Sequence, residues 1–226
     1  MLILLLIAGL TYLGYRIRIN RLLATEKVRR RIARDLHDDM GSTLTSINIM
    51  TTMAKRNVQE NTQKTEDFLS KIGESTTRMM ESMDDIVWSI NPNNDNMPMI
   101  LARMREFTTS LFEARGINFS FHADEQVMLL KLNLESRHDF FMIFKESVNN
   151  IAKHAQATHV DIVITYKKKT LYMQVKDNGK GFQPTVQGEG DGLFNMQRRA
   201  QRMKGSLDIA SAPDSGTRIS LRFVTT

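Results

Sequence analysis

A cluster of chain-breaking residues, Asn91-Pro92-Asn93-Asn94-Asp95-Asn96, divides this sequence into two parts of different character. The chain has four prolines, and all fall where other residues also indicate breaks: Pro92, Pro98, Pro184 and Pro213. With 226 residues, the chain has room for one or two modest domains. We therefore expect a helical N-terminal part and a separately folded, mixed C-terminal part.

Two long runs of apolar residues at helical spacing fill the N-terminal part. The first run is Val28, Ile32, Leu36, Met40, Leu44, Ile47, Met50, Ala54 and Val58. The second run is Phe68, Leu69, Ile72, Met79, Met80, Met83, Ile86, Val87 and Ile90. A polar stretch, residues 59–64, separates them and predicts an antiparallel hairpin of two amphipathic helices. Since one hairpin cannot bury such wide apolar faces, we expect a dimeric four-helix bundle, with a coiled-coil spacer as the alternative.

Residues 1–15 contain no charged residue and are rich in leucine and isoleucine. Extended to Ile19, this run would form a helix roughly 28 Å long, against about 30 Å of bilayer hydrocarbon. Eight cations follow between Arg16 and Arg34, with Glu26 as the only anion, whereas a signal peptide carries its cations first. We expect a membrane anchor over residues 1–19 with its C-terminal side in the cytoplasm, belonging to a truncated sensor; a buried helix is the alternative.

The composition limits the other classes of site. The chain has no cysteine, which excludes disulfides and thiolate metal sites. Its five histidines are scattered, so a structural metal site is not expected. The net charge is +6, but no base-reading module is recognisable, so we expect no direct binding of nucleic acid.

Helical and alternating patterns follow one another in the C-terminal part. The predicted helices are 99–115, 134–154 and 193–203, with Gly116 as the cap of the first. The predicted strands are 117–122, 160–166, 171–176, 206–210 and 218–223. Helices mixed with mostly antiparallel strands predict an α+β layer.

His37 lies beside the apolar stripe of the first long helix, one residue after Leu36. Gly41 follows one turn later, and a glycine inside a helix costs about 1 kcal/mol relative to alanine, so it suggests that a bulky partner approaches here. A neutral imidazole offers a nucleophilic nitrogen, and the adjacent Asp38 could accept the released proton. For His37 alone, an exposed histidine in a charged helix is the simpler interpretation.

Four polar residues share one predicted helical face at spacings i, i+4, i+7 and i+8: Glu146, Asn150, Lys153 and His154. Oxygen ligands such as the amide carbonyl of Asn150 suit Mg²⁺, which keeps waters and bridges phosphates. A polar solvent-exposed face is the alternative.

Two glycine clusters come later in the chain. Asp177-Asn178-Gly179-Lys180-Gly181 directly follows a predicted strand, where a buried Asp177 could accept from an adenine amine while the glycines admit the ring. Gly188-Glu189-Gly190-Asp191-Gly192-Leu193 leads into a helix, whose free amides can hold phosphates. Either cluster taken singly could be a flexible loop.

The four constellations in this order resemble those of the sensor histidine kinases of the nitrate-sensor type. Their phosphoacceptor helix reads Arg-Ile-Ala-Arg-Asp-Leu-His-Asp, which residues 31–38 match letter for letter. The C-terminal part resembles the GHKL ATP-binding fold shared with gyrase, heat-shock chaperones and mismatch-repair ATPases. The resemblance covers residues 26–224 and implies a multidomain α and α+β protein: an anchor (1–19), a dimerisation and phosphotransfer hairpin (20–92) and a GHKL-type α/β sandwich (99–226).

The resemblance also implies roles for individual residues. It makes His37 the phosphorylated residue, Asp38 its acid-base partner and Asn150 the Mg²⁺ ligand, with Glu146 one turn before. The remaining nucleotide-binding residues that it implies are Lys153, His154, Asp177, Gly179, Gly181, Gly190, Gly192, Leu193 and Thr217. The implied cofactors are ATP and Mg²⁺.

Two positions depart from the family pattern. Phosphatase-competent members carry Gln where this chain has Ser42, so we expect weak phosphatase activity. Asn195 stands where many relatives have Gly, and this difference should affect only helix geometry.

The function implied is autophosphorylation of His37 and transfer to an aspartate in the receiver domain of a response regulator with a helix-turn-helix output. The implied protein is a homodimer in the bacterial inner membrane, single-pass, with a cytoplasmic catalytic part. The rivals are a GHKL-type ATPase or protein serine kinase, and a dimeric scaffold that binds nucleotide without turnover.

Overall fold

The computed structural model of the chain describes residues 3, 9, 11–16, 18–19, 26, 41, 43–58, 61–91, 94, 96–183 and 191–225. The chain forms two compact units, Met1–Ile90 and Asn91–Thr226. The division falls at the start of the breaker cluster that the sequence analysis singled out.

In the described ranges 43–58 and 61–90, the first unit forms two helices. Residues 43–57 are helical (α1), and a second helix, α2, spans Thr62–Ile90. The side chain of Asn61 caps α2 by accepting a hydrogen bond from the Lys64 amide at 3.0 Å. The helix therefore starts inside the predicted polar link of residues 59–64, because Asn61 satisfies an amide that would otherwise lack a partner.

Helix α2 buries several polar residues and leaves large apolar side chains exposed. Its buried residues include Thr65, Ser75 and Asp85. A second set of residues is exposed and recurs at alternating spacings of three and four. The set comprises Leu69, Gly73, Thr76, Met80, Met83 and Val87. We call these six residues the α2 stripe.

Among the residues that the structure describes, no helix is both long and apolar enough to cross a membrane. Nine of the nineteen residues of the predicted anchor, residues 1–19, lie outside the described residues, so the anchor stays a prediction.

A five-stranded sheet forms the centre of the second unit, in the order β1-β2-β3-β5-β4. The strands are β1 (Asn118–Ala123), β2 (His159–Lys167), β3 (Thr170–Asp177), β4 (Ser206–Ser211) and β5 (Thr217–Val224). Strand β1 pairs with β2 in parallel, and the other neighbours are antiparallel. The strand pattern agrees with the predicted segments to within about a residue at each end.

In the described part of this unit, four helices accompany the sheet: α3 (Met97–Glu113), the short α4 (Glu125–Met128), α5 (Leu134–Asn150) and α6 (Asp191–Arg202). Helices α3, α5 and α6 pack against one another or against the sheet, and the alternate residues Ile162, Ile164 and Met173 face them in the core. Asn96 caps α3, with Pro98 in its first turn, so this helix starts two residues before the predicted one. The unit is a two-layer α/β sandwich, and this part of the predicted fold class is confirmed.

The turn between β2 and β3 consists of two lysines in an unfavourable conformation. Lys168 and Lys169 have φ angles of 50° and 63°. Two-residue hairpin turns with positive φ favour Asn-Gly, because a side chain with a Cβ atom is strained in this region.

Replacing Lys168→Asn together with Lys169→Gly should therefore stabilise the sheet by about 1 kcal/mol. Hydrogen exchange of the β2 and β3 amides would measure the gain. Lys167→Asn, one residue earlier in strand β2, is the control and should give no gain. Equal or faster exchange in the double variant would contradict the strain.

Candidate functional site

Asp177, the last residue of β3, carries a carboxylate that is almost fully buried. Its Oδ1 accepts a hydrogen bond from the Gly179 amide at 2.8 Å, and the Thr217 amide also donates to this carboxylate. Burial raises the pKa of the Asp177 carboxyl above its ordinary value of 3.8, and backbone hydrogen bonds, including those from Gly179 and Thr217, oppose that rise. Since a carboxylate offers about four acceptor sites, Asp177 keeps capacity for a further donor.

The glycines beside Asp177 are required by close backbone contacts. A Cβ atom on Gly179 would overlap the carbonyl oxygen of Ala155, and one on Gly181 would overlap that of Ala212. Gly181 also has a φ angle of 60°, which other residues rarely adopt. The Lys180 amide donates to the Ala155 oxygen at 2.8 Å, so the loop after β3 is tied to the end of the preceding helical segment.

Thr217 is brought to the same place by the turn between β4 and β5. Gly216 there has a φ angle of 69°, and a Cβ atom on it would overlap the backbone oxygen of Asp177. The structure thus brings together four residues that the sequence analysis assigned to one site: Asp177, Gly179, Gly181 and Thr217.

Asn178 and Ser211 also shape this region, and the sequence analysis gave neither a role. The Asn178 side-chain oxygen accepts from the amides of Thr158 and His159, both at 2.9 Å, which holds the loop to the start of β2. The Ser211 hydroxyl accepts from the Phe182 amide at 2.9 Å and bonds to the Thr217 hydroxyl, also at 2.9 Å. Asn178 could have been found from sequence, because Asn directly after a strand commonly bonds nearby backbone.

The helix that carries the predicted magnesium ligand changes its geometry at the predicted site. Glu146 and Asn150 lie in the regular part of α5, one turn apart. Residues Ile151–Ala155 then form a π-helical turn, and Gln156 ends it with a φ angle of 54°. The prediction that Glu146, Asn150, Lys153 and His154 share one helical face assumed α-helical spacing throughout. Because a π-helical turn is wider, Lys153 and His154 do not lie where that spacing would place them, and the prediction is corrected for these two residues.

Glu146 lies against the start of α6. A Cβ atom on Gly192 would overlap Oε1 of Glu146, so a side chain at this position would displace the flexible end of Glu146. Leu193 follows in the same turn and is half-buried. The structure therefore brings Glu146 and Gly192 together, as predicted for one nucleotide site.

Three assigned residues, His37, Asp38 and Gly190, lie outside the described residues, as does Ser42. Within the described ranges, no group of three or more carboxylate or histidine side chains could hold a metal by itself. A magnesium ion at Asn150 would therefore need phosphate oxygens and water to complete its six ligands, which is its usual mode of binding. The amide of Asn150 and the carboxylate of Glu146 are oxygen donors and fit that ion.

The two units match two known family models. The model described as "Histidine kinase-, DNA gyrase B-, and HSP90-like ATPase" matches residues 135–226, and the model described as "Histidine kinase" matches residues 28–95. The chain belongs to the histidine kinases. The resemblance to the nitrate-sensor type is confirmed, and membership of the first family implies that the second unit binds ATP.

Relatives match along nearly the whole chain. The signal transduction histidine-protein kinase/phosphatase UhpB of Salmonella typhimurium is 30% identical over 213 residues, which cover 89% of this chain and 40% of the relative. The oxygen sensor histidine kinase NreB of Staphylococcus carnosus is 24% identical over 200 residues, covering 88% and 56%. The chain therefore spans about half the length of the relatives that it matches.

Two solved structures share the fold. The blue-light activated histidine kinase of Erythrobacter litoralis EL346 has a TM-score of 0.54 at 14% identity, covering 86% of this chain and 60% of that one. The histidine kinase AdeS of Acinetobacter baumannii has a TM-score of 0.56 at 10% identity, covering 80% and 96%. At these identities the likeness shows the fold alone.

The burial of Asp177 predicts how its proton responds to nucleotide. In the free protein its pKa should lie above 3.8, because burial disfavours the charged form. ATP should lower this pKa, since an adenine amine would donate to the ionised carboxylate. Titration of the Asp177 carboxyl carbon by NMR, with and without ATP, would measure both effects.

The sign of the stability effect follows from the same shift. Because folding raises the pKa of Asp177, its ionised form lowers the free energy of unfolding. This loss of stability disappears as the pH falls through the folded-state pKa, because the carboxyl group then becomes protonated. The variant Asp177→Asn should lack the pH-dependent step. A pKa at or below 3.8 in the free protein, or a rise on adding ATP, would contradict this description.

Proposed function

We propose that the chain is the kinase part of a two-component sensor, which transfers the γ-phosphoryl group of ATP to His37 and then to an aspartate of a response regulator. The observation that carries the proposal is the buried Asp177 carboxylate beside two glycines, tied through Ala155 to the helix that bears Asn150. The histidine kinase family membership of both units supports it.

Adenine recognition is assigned to the loop after β3. Asp177 has spare acceptor capacity in a buried position, where a hydrogen bond to an ionised group contributes about 1.5–3 kcal/mol. Gly179 and Gly181 let the loop pack against the backbone of Ala155 and Ala212, which holds the residues around Asp177 in place. Thr217 lies at the same place through its amide contact with Asp177.

The phosphate end is assigned to α5 and α6. Asn150 would contribute an oxygen ligand to Mg²⁺, and Glu146 lies one turn before it. When bound, Mg²⁺ neutralises phosphate charge and orients the transferred group. Lys153 and His154 are exposed in the π-helical turn, where a cationic side chain would attract phosphate.

Phosphoryl transfer is assigned to His37 and Asp38 from the sequence match of residues 31–38. A neutral imidazole nitrogen would attack the γ-phosphorus, the bond to the leaving ADP oxygen would break, and Asp38 would accept the imidazole proton. Ser42 stands where phosphatase-competent relatives carry Gln, which favours net kinase activity.

The α2 stripe supports assembly as a homodimer. Leu69, Met80 and Val87 are 57%, 62% and 62% exposed, which is unusual for large apolar side chains at regular helical spacing. Their alternating spacing of three and four is that of a helix seam that packs against other helices. A second copy of the hairpin would bury this seam in a four-helix bundle.

The apolar run of residues 1–15 and the cations after it support a single-pass anchor in a bacterial inner membrane, with the two units in the cytoplasm. The natural partner would be the receiver domain of a response regulator, with a helix-turn-helix output. A GHKL-type ATPase or serine kinase, and a scaffold without turnover, remain as rivals that the phosphorylation experiment separates.

His37→Ala should abolish acid-labile labelling from γ-labelled ATP while leaving ATP affinity unchanged, because the nucleotide residues are all in the other unit. Asn150→Ala should lose both the labelling and the ATP affinity, since it removes the magnesium ligand. Asn118→Ala, an exposed amide on β1, is the matched control and should keep both.

Each other outcome has a defined meaning. Acid-labile label on His37→Ala would overturn the phosphoacceptor assignment. Acid-stable label would indicate a serine kinase, hydrolysis without label an ATPase, and binding without turnover a scaffold.

Met80→Glu with Met83→Glu should convert the dimer to monomers, because a charged group in the α2 stripe would have to be buried without a partner. Sedimentation of the full chain in detergent would measure the association. Ser70 is exposed on the same helix but lies outside the α2 stripe, so the control variant Ser70→Glu should stay dimeric. A dimer that survives the double substitution would place the interface elsewhere.

A further inference from the structure

Helices α5 and α6 pack side by side through contacts at two levels. Asp139 on α5 bonds to Arg199 and Arg202 on α6. Ser147 then donates to the sulfur of Met196 at 3.6 Å, and Glu146 abuts Gly192. Asp139, early in α5, contacts the end of α6, whereas Glu146 and Ser147, late in α5, contact its first half, so the two helices run in opposite directions.

The first of these contacts is a buried ionic cluster. The side chain of Asp139 is only 2% exposed, and two guanidinium groups reach it from α6. Arg202 donates from Nε to Oδ2 at 3.0 Å and from a second nitrogen to Oδ1, and Arg199 donates to Oδ1 at 3.2 Å. We call these three residues the Asp139 cluster.

Paired hydrogen bonds from one arginine to one carboxylate fix the position of α6 along its axis as well as its distance from α5. Two parallel hydrogen bonds from one guanidinium to one carboxylate have a narrow geometry. The apolar contacts of α6 are less directional, because Met196 and Met203 are flexible side chains that adapt to a shifted neighbour, and Ala200 is small. The Asp139 cluster is therefore the contact best suited to set the axial register of α6 against α5.

The nucleotide residues lie at the opposite end of the same pair of helices. From Asp139 to Glu146 is seven residues, or roughly 10 Å along the helix at 1.5 Å per residue. Gly192 has no side chain with which to hold Glu146 in place. A shift of α6 along its axis would move Gly192 and Leu193 relative to Glu146 and Asn150, while leaving Asp177 and its loop untouched.

We infer that the Asp139 cluster is a positioning site for nucleotide binding, which holds the start of α6 in register with the magnesium end of α5. This inference rests on the nucleotide-binding function proposed above. None of the three side chains is assigned a contact with ATP. Their effect passes through α6, so it falls on the phosphate end of the site and not on the adenine end.

The test compares ATP with adenosine in the full chain. Asp139→Asn keeps the size of the side chain but removes the charge that holds both arginines. It should weaken ATP binding by about tenfold, a usual size for coupling between separate sites. The affinity for adenosine, which reaches only the Asp177 end, should change by less than about twofold, within the error expected for independent sites.

Two further variants separate positioning from loss of stability. Phe112→Leu, in the core between α3 and β1, is the control for general destabilisation and should leave both affinities unchanged. Arg202→Lys keeps the charge but loses the paired geometry, and should weaken ATP alone, by less than Asp139→Asn does. It also serves as the test if Asp139→Asn does not fold.

The outcomes distinguish this inference from the proposed function. Unchanged ATP affinity in Asp139→Asn and Arg202→Lys, or equal losses for ATP and adenosine, would overturn the positioning role while leaving the kinase proposal intact. A wild-type chain that binds neither ligand would overturn the proposed function, and the positioning role with it.

Discussion

The carboxylate of Asp177 is the point at which separate backbone segments of the second unit meet. Gly179, just after β3, and Thr217, at the start of β5, both donate their amides to it. A buried carboxylate is costly unless it is hydrogen-bonded, so the chain has to bring these two segments to one place. The positive φ angle of Gly216 lets the β4–β5 turn lie against the backbone of Asp177, and the missing side chain of Gly179 lets the loop lie against Ala155.

The rest of the site extends from this contact in two directions. Towards the helices, Lys180 bonds to Ala155 at the end of the π-helical turn, which fixes the helix that carries Glu146 and Asn150 relative to the loop. Towards the sheet, Ser211 connects the loop with the β4–β5 turn. The buried carboxylate of Asp177 and the oxygen-bearing side chains of Glu146 and Asn150 thus belong to one connected framework.

The strands and most helices could be predicted from sequence, because alternating and helical periodicities report burial directly. The π-helical turn at residues 151–155 could not, since no residue pattern distinguishes it from an α-helical turn. The Asp139 cluster joins residues about sixty positions apart, a pairing that local patterns do not contain. Sequence predicted a functional Gly192, but its position against the Glu146 carboxylate could be seen only in the fold.

The central claim is that Asp177 recognises the nucleotide base by accepting a hydrogen bond from its amine. Replacing adenine by a base without that amine tests the claim most directly. Inosine triphosphate has the phosphates and ribose of ATP but a carbonyl oxygen in place of the adenine amine. Competition binding with the wild-type chain should show ATP binding at least about tenfold tighter, because a hydrogen bond to an ionised group contributes about 1.5–3 kcal/mol. Equal affinity for the two nucleotides would contradict the role of Asp177 and the site built around it.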